Sequence, residues 1–233
     1  MGRFQLMRTG IILQARIGSS RLPGKILKPL GSKLMLEHII YRVSFIRHLV
    51  QLVLATSILS RDDVLASFCQ SHFVNCFRGN EHDVLERYYQ CAQQYEFDHV
   101  IRLTSDNPFV DIEELDRLID LHFKRDADYS HSFNVLPVGS GAEIFTFETL
   151  KRSFTDGIKP NHREHVNEYI QENPALFHIE TLQAIPSKNR KDIRLTVDTE
   201  KDYQKACFIV KHSKSDYITT EEAIDLCSRF EGF

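Results

Sequence analysis

The sequence predicts an α/β protein with a mostly parallel sheet covered by helices. Three observations carry that expectation. Short apolar runs alternate with helical segments four times over residues 10–124, and this alternation is the mark of parallel strands joined by crossover helices. The first apolar run opens into a loop rich in glycine and cations, as at the carboxyl edge of an open sheet, where ligands bind. Of 233 residues, 42% are hydrophobic and 26% charged, an ordinary globular composition and enough chain for a sizeable core.

The elements follow in order. GIILQA (10–15) reads as a buried strand because its apolar residues are consecutive. Met35, Ile39, Val43 and Ile46 recur at helical spacing. LVLAT (52–56) predicts a second strand, RDDVLASFCQ (61–70) a helix with acidic residues in its first turn, FVNCF (73–77) a third strand and EHDVLERYYQCAQQY (81–95) a third helix. HVIRLT (99–104) is a fourth strand, and Asp111 is the expected N-cap of the helix DIEELDRLIDLHFK (111–124). Past residue 128 the rhythm lapses. AEIFTF (142–147) and IRLTVD (193–198) predict strands, HREHVNEYIQ (162–171) and KDYQKACFIV (201–210) helices. With no repeat or Gly/Pro/Ser-rich linker, 1–233 reads as one domain carrying an inserted arm near 130–190. AEIFTF falls outside the alternating pattern and would need covering, which points to a homodimer through the arm. Phe73, Phe77, Tyr88 and Tyr89 read as core, because a base-stacking surface would interleave basic residues with them.

The totals exclude several classes. A net charge of −3 offers no global field for nucleic acid, so an anion site must be local. Five scattered cysteines without a C-x-x-C pair suit free thiols in a reducing cytoplasm. The first ten residues lack a signal-peptide h-region, Leu6 argues against myristoylation at Gly2, and no 18-residue apolar run suggests a membrane span.

The most informative stretch is LQARIGSSRLPGKIL (13–27). Gly18 and Gly24 let backbone N–H groups approach an anion, Arg16, Arg21 and Lys25 add charge, and Ser19 and Ser20 add hydroxyls. Such a set suits a polyphosphate better than a single phosphate. It is not the NTPase loop: five residues separate Gly18 from Gly24-Lys25, one too many, and Ile26 stands where Ser or Thr is required. The competing reading is a surface turn with solvated charges. Two carboxylates, Asp106 and Asp198, each end an R-L-T-x-D run at a strand's carboxyl end. They are candidate Mg²⁺ ligands, since magnesium takes one or two carboxylates together with phosphate oxygens. Helix capping is the alternative, and Asp202 reads as an outer partner or a solvated charge. His162 and His165, three apart, read as a polar helix face; no H-E-x-x-H or G-x-S-x-G motif is present.

QARIGSSRLPGKIL closely resembles the A-R-x-x-S-x-R-L-P-G-K motif of the cytidylyltransferases that activate acidic sugars. That superfamily includes CMP-Kdo and CMP-sialic acid synthetases and the SpsF-like spore-coat polysaccharide proteins, with which the match is best. LATS (54–57), FRGNEHDVLERYY (77–89), RLTSDNPFVD (102–111), GAEIFTFETL (141–150), REHVNEYI (163–170) and RLTVDTEKDY (194–203) agree in order. The resemblance implies a Rossmann-like nucleotidyltransferase fold, a homodimer, and transfer of CMP from CTP to a sugar with release of pyrophosphate, for a surface polysaccharide or glycoconjugate. It implies that Arg16, Ser19, Arg21 and Lys25 grip the triphosphate within a loop of Ala15, Gly18 and Ser20. Ala55, Thr56 and Ser57 would lie beside the base, with Arg78, Gly79 and Asp83 near the nucleotide pocket. Arg16, Lys25, Asp106 and Asp198 would be catalytic, the two aspartates through Mg²⁺, while Glu143 and His165 would meet the acceptor. Two departures stand out: Asn107 where a small residue is common, and PVGSGAE before Glu143. Another nucleotide, a sugar phosphate acceptor, or a nucleotide-sugar-binding protein without turnover are the alternatives.

Overall fold

The computed structural model describes residues 7–230. The N-terminal stretch judged for signal peptide and myristoylation lies largely outside them. Strand β1 (Thr9–Gln14) leads through the loop and a 3-10 turn at Lys25–Leu27 to the hairpin β2 (Pro29–Leu30) and β3 (Lys33–Leu34), then α1 (Met35–Val43). There follow β4 (Gln51–Ser57), α2 (Asp63–Ser71), β5 (Asn75–Gly79), α3 (Val84–Gln94), β6 (His99–Thr104) and α4 (Ile112–Arg125). The remainder is β7 (Tyr129–His131), β8 (Glu143–Thr146), α5 (Phe147–Asp156), α6 (Pro160–Glu164), α7 (Glu168–Glu172), β9 (Ile179–Thr181), α8 (Glu200–His212) and α9 (Thr220–Ser228). No helix among the described residues is long and apolar enough to cross a membrane.

The main sheet runs β5-β4-β1-β6-β8-β7-β9. β5, β4, β1 and β6 are parallel; β8 is antiparallel to both β6 and β7, and β7 is parallel to β9. β1 is central, so both faces are covered and Ile11, Ile12 and Leu13 have no solvent exposure; this is why its apolar residues are consecutive rather than alternating. Ile11 and Leu13 pack with Met35, Leu36, Leu118 and Ile209 on one face, and Ile12 with Leu85, Tyr88 and Phe145 on the other. All parallel strands therefore deliver their carboxyl ends to one edge.

Four expectations need correction. Phe73 is not core: it is 97% exposed, at φ 55° in the left-handed turn that ends α2, and the strand starts two residues later. Phe77 and Tyr88 are buried as expected, and Tyr89 packs partly against them. The helix expected over 162–171 is two short ones, because His165 between them is extended at φ −113°, ψ 106°. Residues 193–198 form no ladder strand; Val138 takes Leu195 N–H at 2.7 Å and the Asp106 carbonyl takes Val197 N–H at 2.8 Å, two partners from different loops. Finally, AEIFTF is no outlying strand: β8 lies between β6 and β7, with Ile144 and Phe145 buried within this chain. The segment near 130–190 supplies three strands of the main sheet, and the covering that AEIFTF needs comes from its own neighbours, so it gives no reason for a dimer.

Candidate active site

The loop after β1 is shaped by its own backbone. Ser19 N–H and Gly24 N–H both donate to the Ile17 carbonyl, at 2.8 and 3.2 Å, and the Ser19 hydroxyl accepts from Leu22 N–H at 3.3 Å. Gly24 sits at φ 66°, a left-handed geometry that costs glycine nothing. Below the loop, Asp62 is fully buried and accepts from Ile17 N–H at 2.8 Å and from the Ser57 hydroxyl. Ser57 is thus engaged in pinning the loop. Thr56 is buried with no partner for its hydroxyl among the described residues, and Ala15 and Ala55 are buried and joined by a backbone bond of 3.1 Å.

Lys25 is the hub. Its buried ammonium donates to the Val197 carbonyl at 2.7 Å and to Asp198 Oδ1 at 2.9 Å, and stands 3.8 Å from Asp106 Oδ2. The carboxylates, 92 positions apart in sequence, thus share one cation. Neither caps a helix. Asp111 caps α4 by accepting from Glu114 N–H, and Thr199 caps α8 with Asp202 completing its capping box, which also settles the place of Asp202. Burial alone would raise the Asp198 pKa, but hydrogen bonding and charge from Lys25, then Arg21 and Arg194, outweigh it and hold the carboxyl below its usual value. Asp106 is oriented differently: the Thr104 hydroxyl donates to it at 2.6 Å, and Asn107 Nδ2 donates to Thr104 at 2.8 Å.

Two cavities meet at these carboxylates. One, of about 720 Å³, is lined by Arg16, Gly18, Ser19, Ser20, Arg21 and Lys25, and on its far side by His82, Glu164 and His165. The other, of about 440 Å³, is lined by Asn107, the 132–141 segment, Lys191 and Arg194. Arg102, Thr104, Asp106 and Asp198 line both. Gly139, in the PVGSGAE segment, has φ 97°, and a Cβ there would lie 2.5 Å from Thr196 Oγ1 and 2.9 Å from Asn107 Oδ1.

Several expected contacts are placed elsewhere. Arg78 donates to the Ser57 and Leu59 carbonyls and pairs with Asp63, so it braces the turn after β4. Gly79 lies against Phe77 and Arg87, and Asp83 caps α3 while pairing with Arg163. None of the three lines either cavity; His82 does. Glu143 is fully buried, out of an acceptor's reach, pairing with Arg102 and accepting from the Tyr129 hydroxyl at 2.6 Å. The main omission from the sequence reading is Arg102. A partial signal was available: residues 102 and 104 fall on one face of β6, two residues short of Asp106, so Arg102 had to share a side with Thr104 near the strand's carboxyl end.

The cytidylyltransferase family model matches residues 10–226, and the chain belongs to that family. It is 37% identical to the spore coat polysaccharide biosynthesis protein SpsF of Bacillus subtilis, over 94% of this chain and 93% of that protein. A cytidylyltransferase structure from Leptospira borgpetersenii superposes with a TM-score of 0.89 at 29% identity, covering 96% of this chain and 94% of the other. A structure of CMP:2-keto-3-deoxy-manno-octonic acid synthetase complexed with CTP shares the fold, with a TM-score of 0.64 at 17% identity, covering 86% of this chain and 97% of the other. The fold is the nucleotidyltransferase α/β fold that the resemblance implied, and the chain is a nucleotidyltransferase.

Proposed function

We propose that this cytidylyltransferase works in the cytoplasm, with Mg²⁺, to transfer CMP from CTP to an acidic sugar with release of pyrophosphate, for a surface polysaccharide or glycoconjugate. The observation that supports this reading is the shared wall: two cavities, one under the cationic loop, meet at Asp106 and Asp198. A two-substrate transfer needs that arrangement, because the reacting atoms must meet where both ligands end.

In this reading CTP lies in the larger cavity. Arg16 and Arg21 take the β- and γ-phosphates and neutralise the charge that grows on pyrophosphate as it leaves. Arg16 is exposed with no protein hydrogen bond or ion pair among the described residues, so it is available for phosphate. The acceptor in the smaller cavity presents its oxygen to the α-phosphorus in line. Thr104 and Lys25 hold the two carboxylates in place for that step.

Asp106 and Asp198 would hold Mg²⁺. Two carboxylates within reach of one ammonium fit an ion that completes its shell with phosphate oxygens and water. No group of three or more protein ligands exists among the described residues, so the nucleotide would complete the site. When bound, Mg²⁺ would draw charge from the α-phosphate.

Pyrophosphate release measured across the common nucleoside triphosphates and a panel of acidic sugars tests the reading. Release with CTP and one acid is the expected result; binding without release would favour a protein that has lost turnover. A homodimer is part of the proposal on the family resemblance alone, and light scattering that gives a monomer at working concentration would remove it.

A further inference from the structure

Arg102 stands at the floor where the cavities join, and its guanidinium is divided in use. Nη1 donates to Glu143, which is fully buried. Among the described residues, the buried Nε has no partner and no protein acceptor meets Nη2. The Nε/Nη2 edge is the side of a guanidinium that matches a two-oxygen anion. A buried donor left unpaired costs stability unless water or a ligand meets it. Behind the guanidinium the support is complete: Tyr129 donates to Glu143 at 2.6 Å, Asn167 Nδ2 donates to the Tyr129 oxygen at 3.3 Å, and the Tyr88 ring lies 5.9 Å from the guanidinium carbon. Lys191 and Arg194 add positive charge on the rim of the smaller cavity.

We propose that Arg102 is the specificity residue for the acceptor, its free edge taking an oxyanion of the sugar, with Glu143 and Tyr129 as positioning residues that hold the edge toward the cavity. The proposal rests on the two-substrate reading above and adds to it the group that recognises the acceptor's charge. A carboxylate and a phosphate present the same two-oxygen face, so the test separates them.

The chain, saturated with Mg²⁺ and a non-hydrolysable CTP analogue, is titrated calorimetrically with three probe sets: sugar carboxylic acids, sugar monophosphates, and the neutral parent sugars. Wild type should prefer one anionic set over its neutral parent by about 10- to 100-fold, the scale of one charge-assisted pair. Arg102→Lys keeps the charge beside Glu143 but loses the fork. It should weaken that anion by about tenfold while the neutral parent and the CTP analogue bind as in wild type. Arg102→Gln combined with Glu143→Gln avoids a stranded buried carboxylate and should abolish the preference with the melting temperature nearly kept. In turnover, Arg102→Lys should raise the acceptor KM with little change in the KM for CTP.

Equal binding of anionic and neutral probes by wild type would overturn the proposal, and so would an unchanged preference in Arg102→Lys. Parallel loss of CTP analogue and acceptor would make Arg102 a nucleotide contact instead. Failure of the function reading looks different: the CTP analogue would not bind, whatever the anions do.

Discussion

The loop of residues 14–25 and the floor built on Arg102 both present cations to the site, by opposite means. In the loop, Arg16 and Arg21 are exposed, and among the described residues Arg21 pairs only with Asp198, at 3.2 Å. On the floor, Arg102 is paired with a carboxylate that has no solvent exposure and is backed by Tyr129 and Asn167. Solvated cations cost little to keep waiting and suit a flexible polyphosphate. A buried cation must be neutralised by the protein itself and gains a fixed direction in return. In the proposed reading, charge capture and orientation are therefore separate tasks, with Lys25 between them, tied to both carboxylates.

The largest expected effect on turnover comes where loop and floor meet. Asp106→Asn should lower turnover by about 10²–10³-fold with the fold intact, because a charge at the reacting centre is lost. Asp198→Asn should do likewise and raise the Mg²⁺ requirement. The double variant should lose much less than the sum, because residues acting as a unit are not additive. Initial rates against Mg²⁺ concentration, beside thermal melts, read this out; additive losses with an unchanged Mg²⁺ profile would separate the two aspartates.

Next is the floor as structure. Glu143→Ala strands the buried Arg102 and should cost about 3–5 kcal/mol of stability, whereas Arg21→Ala in the loop should stay within about 0.5 kcal/mol. Denaturant titration compares them, and equal losses would erase the distinction between waiting and fixed cations.

Smaller again is Lys25→Ala. It should cost CTP about 1.5–3 kcal/mol of affinity and CMP much less. Equal calorimetric losses for the two nucleotides would mean that Lys25 serves only its carboxylate partners.

The smallest effect is a contrast in acid. Behind the floor, on the other face of β7, His122 Nδ1 lies 2.8 Å from the Ser130 hydroxyl and Nε2 lies 3.0 Å from His99. Burial, with the nearby His99, pushes the His122 pKa down to about 3. A neutral buried histidine with a lowered pKa contributes stability above its unfolded value of about 6.5, and that contribution fades as pH falls from there toward 3. The Asp198 carboxyl, also lowered, keeps its contribution until pH falls below the ordinary aspartate range. Denaturation at pH 7 and pH 5 should therefore show a loss in wild type that is reduced in His122→Gln and unchanged in Asp198→Asn.

How much of this was legible follows from distance along the chain. The loop was readable because its cations and glycines are contiguous and follow a short apolar run that reads as a buried strand. The R-L-T-x-D runs were readable as motifs, and the carboxylates do meet. The floor was not readable as a pair: Arg102 and Glu143 are 41 residues apart and become neighbours only because β8 runs antiparallel beside β6, in register at that position. Nor could sequence tell a ligand contact from a brace. Ser57, Arg78 and Asp83 carry the right chemistry for a nucleotide, yet their polar groups are met by Asp62, two backbone carbonyls and the end of a helix.

The alternating order of strands and helices, the glycine- and cation-rich loop and the family were thus set by sequence alone, because local periodicity and contiguous motifs encode them. Only the tertiary structure decided that AEIFTF lies inside the sheet, that one lysine holds both aspartates, and that a buried glutamate aims Arg102 at the junction of two cavities. Those are facts of pairing between distant segments, where burial sets which polar groups are already satisfied and which are left for a ligand.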